Sequence, residues 1–409
     1  MQSIRRSCHS ALRNYNGVSV CANGSRRAFS RTAARPKGGL PVFLEPSSPE
    51  LSTLLAQINS KVLLPEHLTK EQKNLVFKQK LRGKLETEPV EVTIGDVTLP
   101  LEPIDSVIRP SRWGSLKAAV DQSKTTADWE NVVRILEGYH SAGITAKPRW
   151  QEKVVRSLFK NGHHNIVLKA LQRVKATGLR LSNPLVTYRV LKSAHDRAAN
   201  SDWDAEETAK ALRYARQIVE LMEEEEHHAV QSKGTKTAQA DCRSRPFVVA
   251  VPTELAAIIA HKHDGDVEIV KTLANRLVNA LKQDSAAAKA QSTSESAPVE
   301  AQDSLDRVAA YGKKTDADFK TKKEQLVALN EYCQGLFESL VVWNALKTSR
   351  AVLGADMPLA AEAAEYDGRS KKVLDEGLEA VPKLQQRHGV ALENSYFAYV
   401  KKQLQKCQA

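Results

Sequence analysis

The stretches "DWENVVRILEGYHSAGI" (Asp128–Ile144) and "HHNIVLKALQRVKATGL" (His163–Leu179) end alike, at Gly143-Ile144 and Gly178-Leu179, 35 residues apart. In each, apolar residues recur at helical spacing and run into a small residue, a glycine and an aliphatic residue. That ending is a helix stop. Between them lies "PRWQEKVVRSLFKNG" (148–162), which puts Trp150, Val154, Val155, Leu158 and Phe159 on one face. The unit is therefore a helix pair. A pair this short cannot bury its apolar face alone and must stack on its neighbours, so the period predicts an α-solenoid.

The pattern extends in both directions. "NPLVTYRVLKSAHDRA" (183–198) and "ETAKALRYARQIVELM" (207–222) read as the next pair. "PTELAAIIAHKHDGDVEIVKTLANRLVNAL" (252–281) has the same two-helix form, with a turn at Asp264-Gly265. Further helices are expected over 321–353, 371–384 and 399–409. Upstream, "LSTLLAQINSKVLL" (51–64) is helical, and Pro65 is expected to end it. Thr69 and Gln72 form a capping box at the start of the next helix. "VEVTIGDVTLPLEP" (90–103) alternates like two short strands around Gly95-Asp96 and predicts a hairpin. The fold class is all-α: a helical-repeat body with a short N-terminal β-hairpin and an extended N-terminal arm. The expected divisions are a leader over 1–29, a basic, Pro-rich arm over 30–50, and helices plus hairpin over 51–108. The repeat domain follows over 109–282, then a low-complexity linker over 283–302 and a helical region over 303–409.

Charge is unevenly placed. The chain of 409 residues carries a formal +12 with pI about 9.3, which suits a polyanionic partner. Residues 109–200 hold seventeen Lys or Arg against six acids, while 201–409 come out near −4. A second basic run, residues 70–84, has six cations and one acid. Lys73, Lys78, Lys80, Arg82, Lys84, Arg109, Arg112 and Arg189 are candidate contacts to RNA phosphates, which add affinity without sequence specificity. Trp129 and Trp150 fall on apolar faces and read as core. Trp113, in "IRPSRWGS" (108–115), sits in an expected non-helical linker. It either stacks on a base or plugs the first helical hairpin.

No acid precedes Glu45, whereas eight Lys or Arg do. An acid-free, Arg- and Ser-rich start is the composition of an organellar transit peptide. "RRAFS" places the expected cleavage between Phe29 and Ser30, which lowers the formal charge from +12 to +7.

Catalytic and metal chemistry find no anchor. The five cysteines are scattered, without a C-x-x-C pair. "GTKT" (234–237) lacks the phosphate-loop order. His261, His263, Asp264 and Asp266 sit at a turn, where such residues cap helices, and no second ligand cluster lies at a metal-site spacing. No cofactor, metal or small-molecule substrate is expected, nor an enzyme. The apolar run 247–260 is broken by Pro252 and Glu254, so no membrane span is expected.

The helix pairs over 126–282, above all "VTYRVLKSAHDRA" (186–198) and "SLFKNGHHNIVLKALQRVKATGL" (157–179), resemble pentatricopeptide repeats. Base-reading members of that family carry a small polar residue just after the aromatic of the first helix. Here Gln151 follows Trp150 and Arg189 follows Tyr188, and an arginine suits a phosphate better than a base edge. The stretch "LLPEHLTKEQKNLVFKQKLRGKLETEPVEVTIGDVTLPLEPID" resembles, over residues 60–105, mitochondria-specific ribosomal proteins of the helical kind found in fungi. That resemblance implies a structural component in the matrix, of the large subunit, holding ribosomal RNA and neighbouring ribosomal proteins. The alternatives are a free pentatricopeptide-like RNA-binding factor for transcript stability or translation activation, and a protein-only assembly scaffold.

Overall fold

The computed structural model describes residues 38–88, 90–105, 109–228, 242–292, 303–313, 319–388 and 395–408. The expected leader and its cleavage point at Phe29 and Ser30 lie outside the described residues, as does "GTKT".

The first helix among the described residues is α1 (Pro49–Gln57), which continues through a wide π-helical turn (Ile58–Leu63) into α2 (Leu64–His67). Pro65 therefore does not end the helix at that point. Pro65 supplies no N–H of its own, and the Arg109 guanidinium caps carbonyls of this turn. Arg109 Nε donates to Lys61 O at 3.1 Å and Nη2 to Val62 O at 3.1 Å. Helices α3 (Lys70–Phe77), opened by the Thr69–Gln72 capping box, and α4 (Arg82–Thr87) follow. Strands β1 (Glu91–Ile94) and β2 (Val97–Pro100) then form the expected antiparallel hairpin, with Ile94 opposite Val97. Its turn residue Gly95 has φ +64°, and a Cβ there would come within 2.8 Å of Gly39 Cα.

The body is built from pairs: α5 (Arg112–Gln122) with α6 (Thr126–Ser141); α7 (Pro148–Lys160) with α8 (His164–Gln172) and the short α9 (Val174–Thr177); α10 (Pro184–Asn200) with α11 (Ala205–Met222); α12 (Pro246–Lys262) with α13 (Val267–Ser292). After α14 (Ser304–Gly312) come the long α15 (Lys322–Leu353) and α16 (Ala360–His388), and last α17 (Tyr396–Gln408). The first members stack in chain order, α5 on α7, α7 on α10, α10 on α12 and α12 on α15; the second members α6, α8 and α11 form a parallel file. The all-α body with one small hairpin is as the sequence predicts.

Both helix stops that revealed the period are left-handed: Gly143 at φ +77° and Gly178 at φ +66°. Two expectations change. Helix α13 runs on to Ser292, so it takes in the first ten residues of the expected linker. Ser111 caps α5 and Trp113 lies in its first turn, so "IRPSRWGS" is not a non-helical linker.

From residue 38 the arm lies against α6. Asn131 pairs with Leu44 in both directions, Oδ1 accepting from its N–H at 2.7 Å and Nδ2 donating to its carbonyl at 3.0 Å. Asp128, 1 % exposed, accepts from Ser47 N at 2.9 Å and Ser47 Oγ at 2.6 Å, and from the backbone N–H groups of Lys124 and Thr125 at 3.0 and 2.9 Å. Burial alone would raise the Asp128 pKa, but these donors hold it well below the usual carboxylate range.

Candidate nucleic-acid interface

The first basic surface is the α3–α4 segment. Lys78, Lys80, Arg82 and Lys84 are exposed and Lys73 is half-buried. None of the five has an ion-pair partner among the described residues. The turn Gln79–Leu81 between the helices puts the exposed four on seven consecutive residues, so they lie close together.

The other three phosphate candidates are differently placed. Arg109 is turned inward: besides its two carbonyls it meets Glu66 Oε1 at 3.0 Å. Arg112 shares that oxygen at 2.7 Å. Burial would raise the Glu66 pKa, but the two guanidiniums bring it below normal. Arg109 thus caps two carbonyls of the turn before Pro65 and pairs with Glu66, so it is committed to the protein. Trp113 stacks on Trp150 with ring centres 5.6 Å apart and meets Tyr139 edge-on at 5.5 Å. It plugs the first hairpin, and its face is taken by protein. Two of the turn residues considered for metal are likewise engaged: His263 Nε2 contacts Trp203 O at 2.8 Å, and Asp266 Oδ1 accepts from Glu268 N at 2.9 Å.

Arg189 leads to a second surface, one the sequence did not disclose. A cavity of about 350 Å³ lies between α7 and α10, lined by Arg156 and Lys160 from α7 and by Arg189, Lys192 and Arg197 from α10, with Phe159 and His164 at one side. The periodicity explains the meeting. Arg156 and Lys160 are one turn apart on α7, and the 35-residue step brings the equivalent face of α10 alongside.

Three carboxylates organise these cations. Glu152 Oε1 lies 2.6 Å from Arg189 Nε and 3.5 Å from Arg156 Nε. Glu207 Oε2 lies 2.7 Å from Arg197 Nε. Asp196 Oδ2 lies 2.5 Å from Lys192 Nζ. Arg189 and Arg197 are therefore held through Nε, the Arg189 guanidinium also lying 5.6 Å from the Tyr188 ring centre, and among the described residues the terminal amino groups of the three arginines make no hydrogen bond. Lys160 has no carboxylate partner there either. Glu207 is also shared with Lys210 at 2.9 Å, which weakens its hold on the pocket's field. Lys192 is buried, with its ammonium 3.7 Å from the Tyr399 ring centre. Burial lowers its pKa and Asp196 opposes that shift. Burial also lowers the pKa of His164, so its imidazole is neutral near pH 7. The result is a concave, cationic site with pre-oriented arginine forks, the chemistry that recognises a phosphate.

A buried trio elsewhere offers three metal-type ligands. His195, Glu254 and Cys407 bring ligand atoms within 4.8 Å of one another. His195 Nδ1 already meets Glu254 Oε2 at 2.7 Å, and Asn344 Nδ2 donates to Glu254 Oε1 at 2.7 Å. Burial pushes the Cys407 thiol up, so it stays protonated. The trio is an ion-pair clamp joining α10, α12 and α15. Glu254, which breaks the apolar run in the sequence, is its centre. Among the described residues, no helix is long and apolar enough to cross a membrane.

The family described as mitochondrial ribosomal protein mS27 matches residues 27–401. A Neurospora crassa protein named small ribosomal subunit protein mS27 is 32 % identical over 218 residues, 52 % of this chain and 54 % of that protein. The aligned segment spans about half the length of that relative. These findings overturn the large-subunit expectation, since the relative is by name a small-subunit protein. The family is one of ribosomal proteins and not of enzymes. Because the match runs through the arm, the hairpin and the helical body alike, the chain belongs to the mitochondrial ribosomal protein mS27 family.

Proposed function

We propose that this protein is a structural component of the small subunit of the mitochondrial ribosome, working in the matrix, where it holds ribosomal RNA phosphates and neighbouring ribosomal proteins. The observation that carries the reading is the family match along 27–401. The exposed, unneutralised cations of the α3–α4 segment support it, as does the cationic cavity between α7 and α10. Contacts of this kind are salt-dependent and position the protein without reading bases. The stacked helix pairs act as a pentatricopeptide-like scaffold that presents these surfaces, and residues 1–29 serve as the mitochondrial leader.

Gradient sedimentation of matrix extract tests the assignment. The protein should run with the small subunit in constant ratio to its other proteins. Replacing Lys78, Lys80, Arg82 and Lys84 with glutamate should shift it toward the free pool, more so as salt rises. A wild-type chain found only at the top of the gradient overturns the assignment and favours a free RNA-binding factor.

A further inference from the structure

We propose that the cavity between α7 and α10 is a discrete phosphate-binding site that grips one backbone phosphate of single-stranded RNA through the arginine forks of Arg156, Arg189 and Arg197, with Lys160 at its edge. The inference deepens the functional reading above and rests on it, because it names the chemical group that this one site takes. Three observations carry it. The cavity has the volume of a small-ligand pocket, about 350 Å³. Arg189 and Arg197 are hydrogen-bonded at Nε to carboxylates, at 2.6 and 2.7 Å, and the exposed Arg156 is drawn toward the same Glu152 at 3.5 Å; among the described residues the terminal amino groups of the three make no hydrogen bond. A guanidinium held in this way has already lost its rotamer freedom, so it loses little more on gripping an oxyanion. Finally, Lys192, 8 % exposed and paired with Asp196 at 2.5 Å, closes the cavity behind the forks.

The occupant is an RNA phosphate rather than an acidic peptide. The forks converge from two helices on one small volume, and a tetrahedral phosphate accepts from several directions at once. A carboxylate side chain presents only one planar edge. The neighbouring Phe159 and His164 rings, 5.1 Å apart and inclined by 50°, offer neutral aromatic surface on which an adjoining base can stack.

The test uses the full chain and a 12-nucleotide single-stranded RNA. Affinity is measured across a salt series for the wild type, for Arg156→Gln/Lys160→Gln and for Arg189→Lys. The double variant should bind about tenfold more weakly and lose roughly 1–2 from the slope of log Kd against log salt, about one unit per removed contact. Arg189→Lys keeps the charge but loses the fork. It should weaken binding while leaving the slope unchanged. Inorganic phosphate in millimolar amounts should compete with RNA on the wild type and have little effect on the double variant. Unchanged affinity and slope in the double variant overturn the proposal. Tighter binding of free AMP than of RNA also overturns it, in favour of a nucleotide site. Because Arg156 and Lys160 are exposed, neither substitution disturbs the core; circular dichroism and melting of the variants confirm folding. The two readings fail separately: a double variant that still sediments with the small subunit but binds RNA normally removes the pocket alone, whereas a wild type absent from the subunit removes the function.

Discussion

Asp128 shows how much one carboxylate can organise. Four donors converge on it, two of them from Ser47 in the arm. Asp128→Ala should destabilise the fold by about 2–4 kcal/mol, because it strands buried N–H groups and removes a helix cap. Urea unfolding measures this, and proteolysis should release the arm ahead of the body. Asp128→Asn, which keeps one oxygen, should lose less. The pKa of Asp128 is depressed in the fold, so its contribution is present above the ordinary value of 3.8 and is lost as pH falls through the folded value. The capping box that Asp128 forms with Thr125 is a local device, but its larger role is not local. The bond to Ser47 spans 81 positions, and no local pattern announces it. Arg109 is a similar case: the sequence shows a cation in a basic region, but its real task is to cap the turn before Pro65, 44 residues earlier.

At the level of helices, the period was legible because glycine's physical signature is local. A stop that needs a left-handed residue selects glycine wherever the chain places it. The two stops are not equivalent, however. A Cβ on Gly143 meets nothing within 4 Å, whereas one on Gly178 would lie 2.7 Å from His140 Nδ1. Gly143→Ala should therefore cost only the backbone term, about 1 kcal/mol. Gly178→Ala should cost clearly more, since it also pushes α6 away from α9. Chemical denaturation of the two variants checks the order, and equal losses would show that α6 gives way freely. The cationic pocket was not legible. Its residues come from two helices, and each helix alone looks like an ordinary solvated face. Arg189 was reached only through its position after Tyr188. Its partners Arg156 and Lys160 give no signal until α7 and α10 are stacked.

For the whole molecule, the helix order follows from the repeat, but the ties that lock distant pairs do not. The His195–Glu254 clamp joins α10 to α12, and Asn344 adds α15. Burial would lower the His195 pKa, but Glu254 raises it above the ordinary 6.5. Its stabilising effect is thus complete below 6.5 and fades as pH rises through the folded value. The melting temperature should fall along that rise, and a His195→Gln/Glu254→Gln variant should lack the fall. Identical profiles would show that the pair carries no charge. The choice between ribosomal subunits was illegible for a different reason: basic helices serve either subunit equally, and only kinship separates them. Helix α17 has one more consequence. Tyr399 reaches Asp196, Lys406 donates to Ala199 O at 2.6 Å, and Trp203 Nε1 donates to Lys406 O at 3.0 Å. A segment thus seals helices that lie some two hundred residues before it in the chain. A nascent chain paused before residue 396 leaves Tyr188 and Lys192 without Tyr396 and Tyr399 over them, a seam that stays open to wrong contacts until α17 arrives.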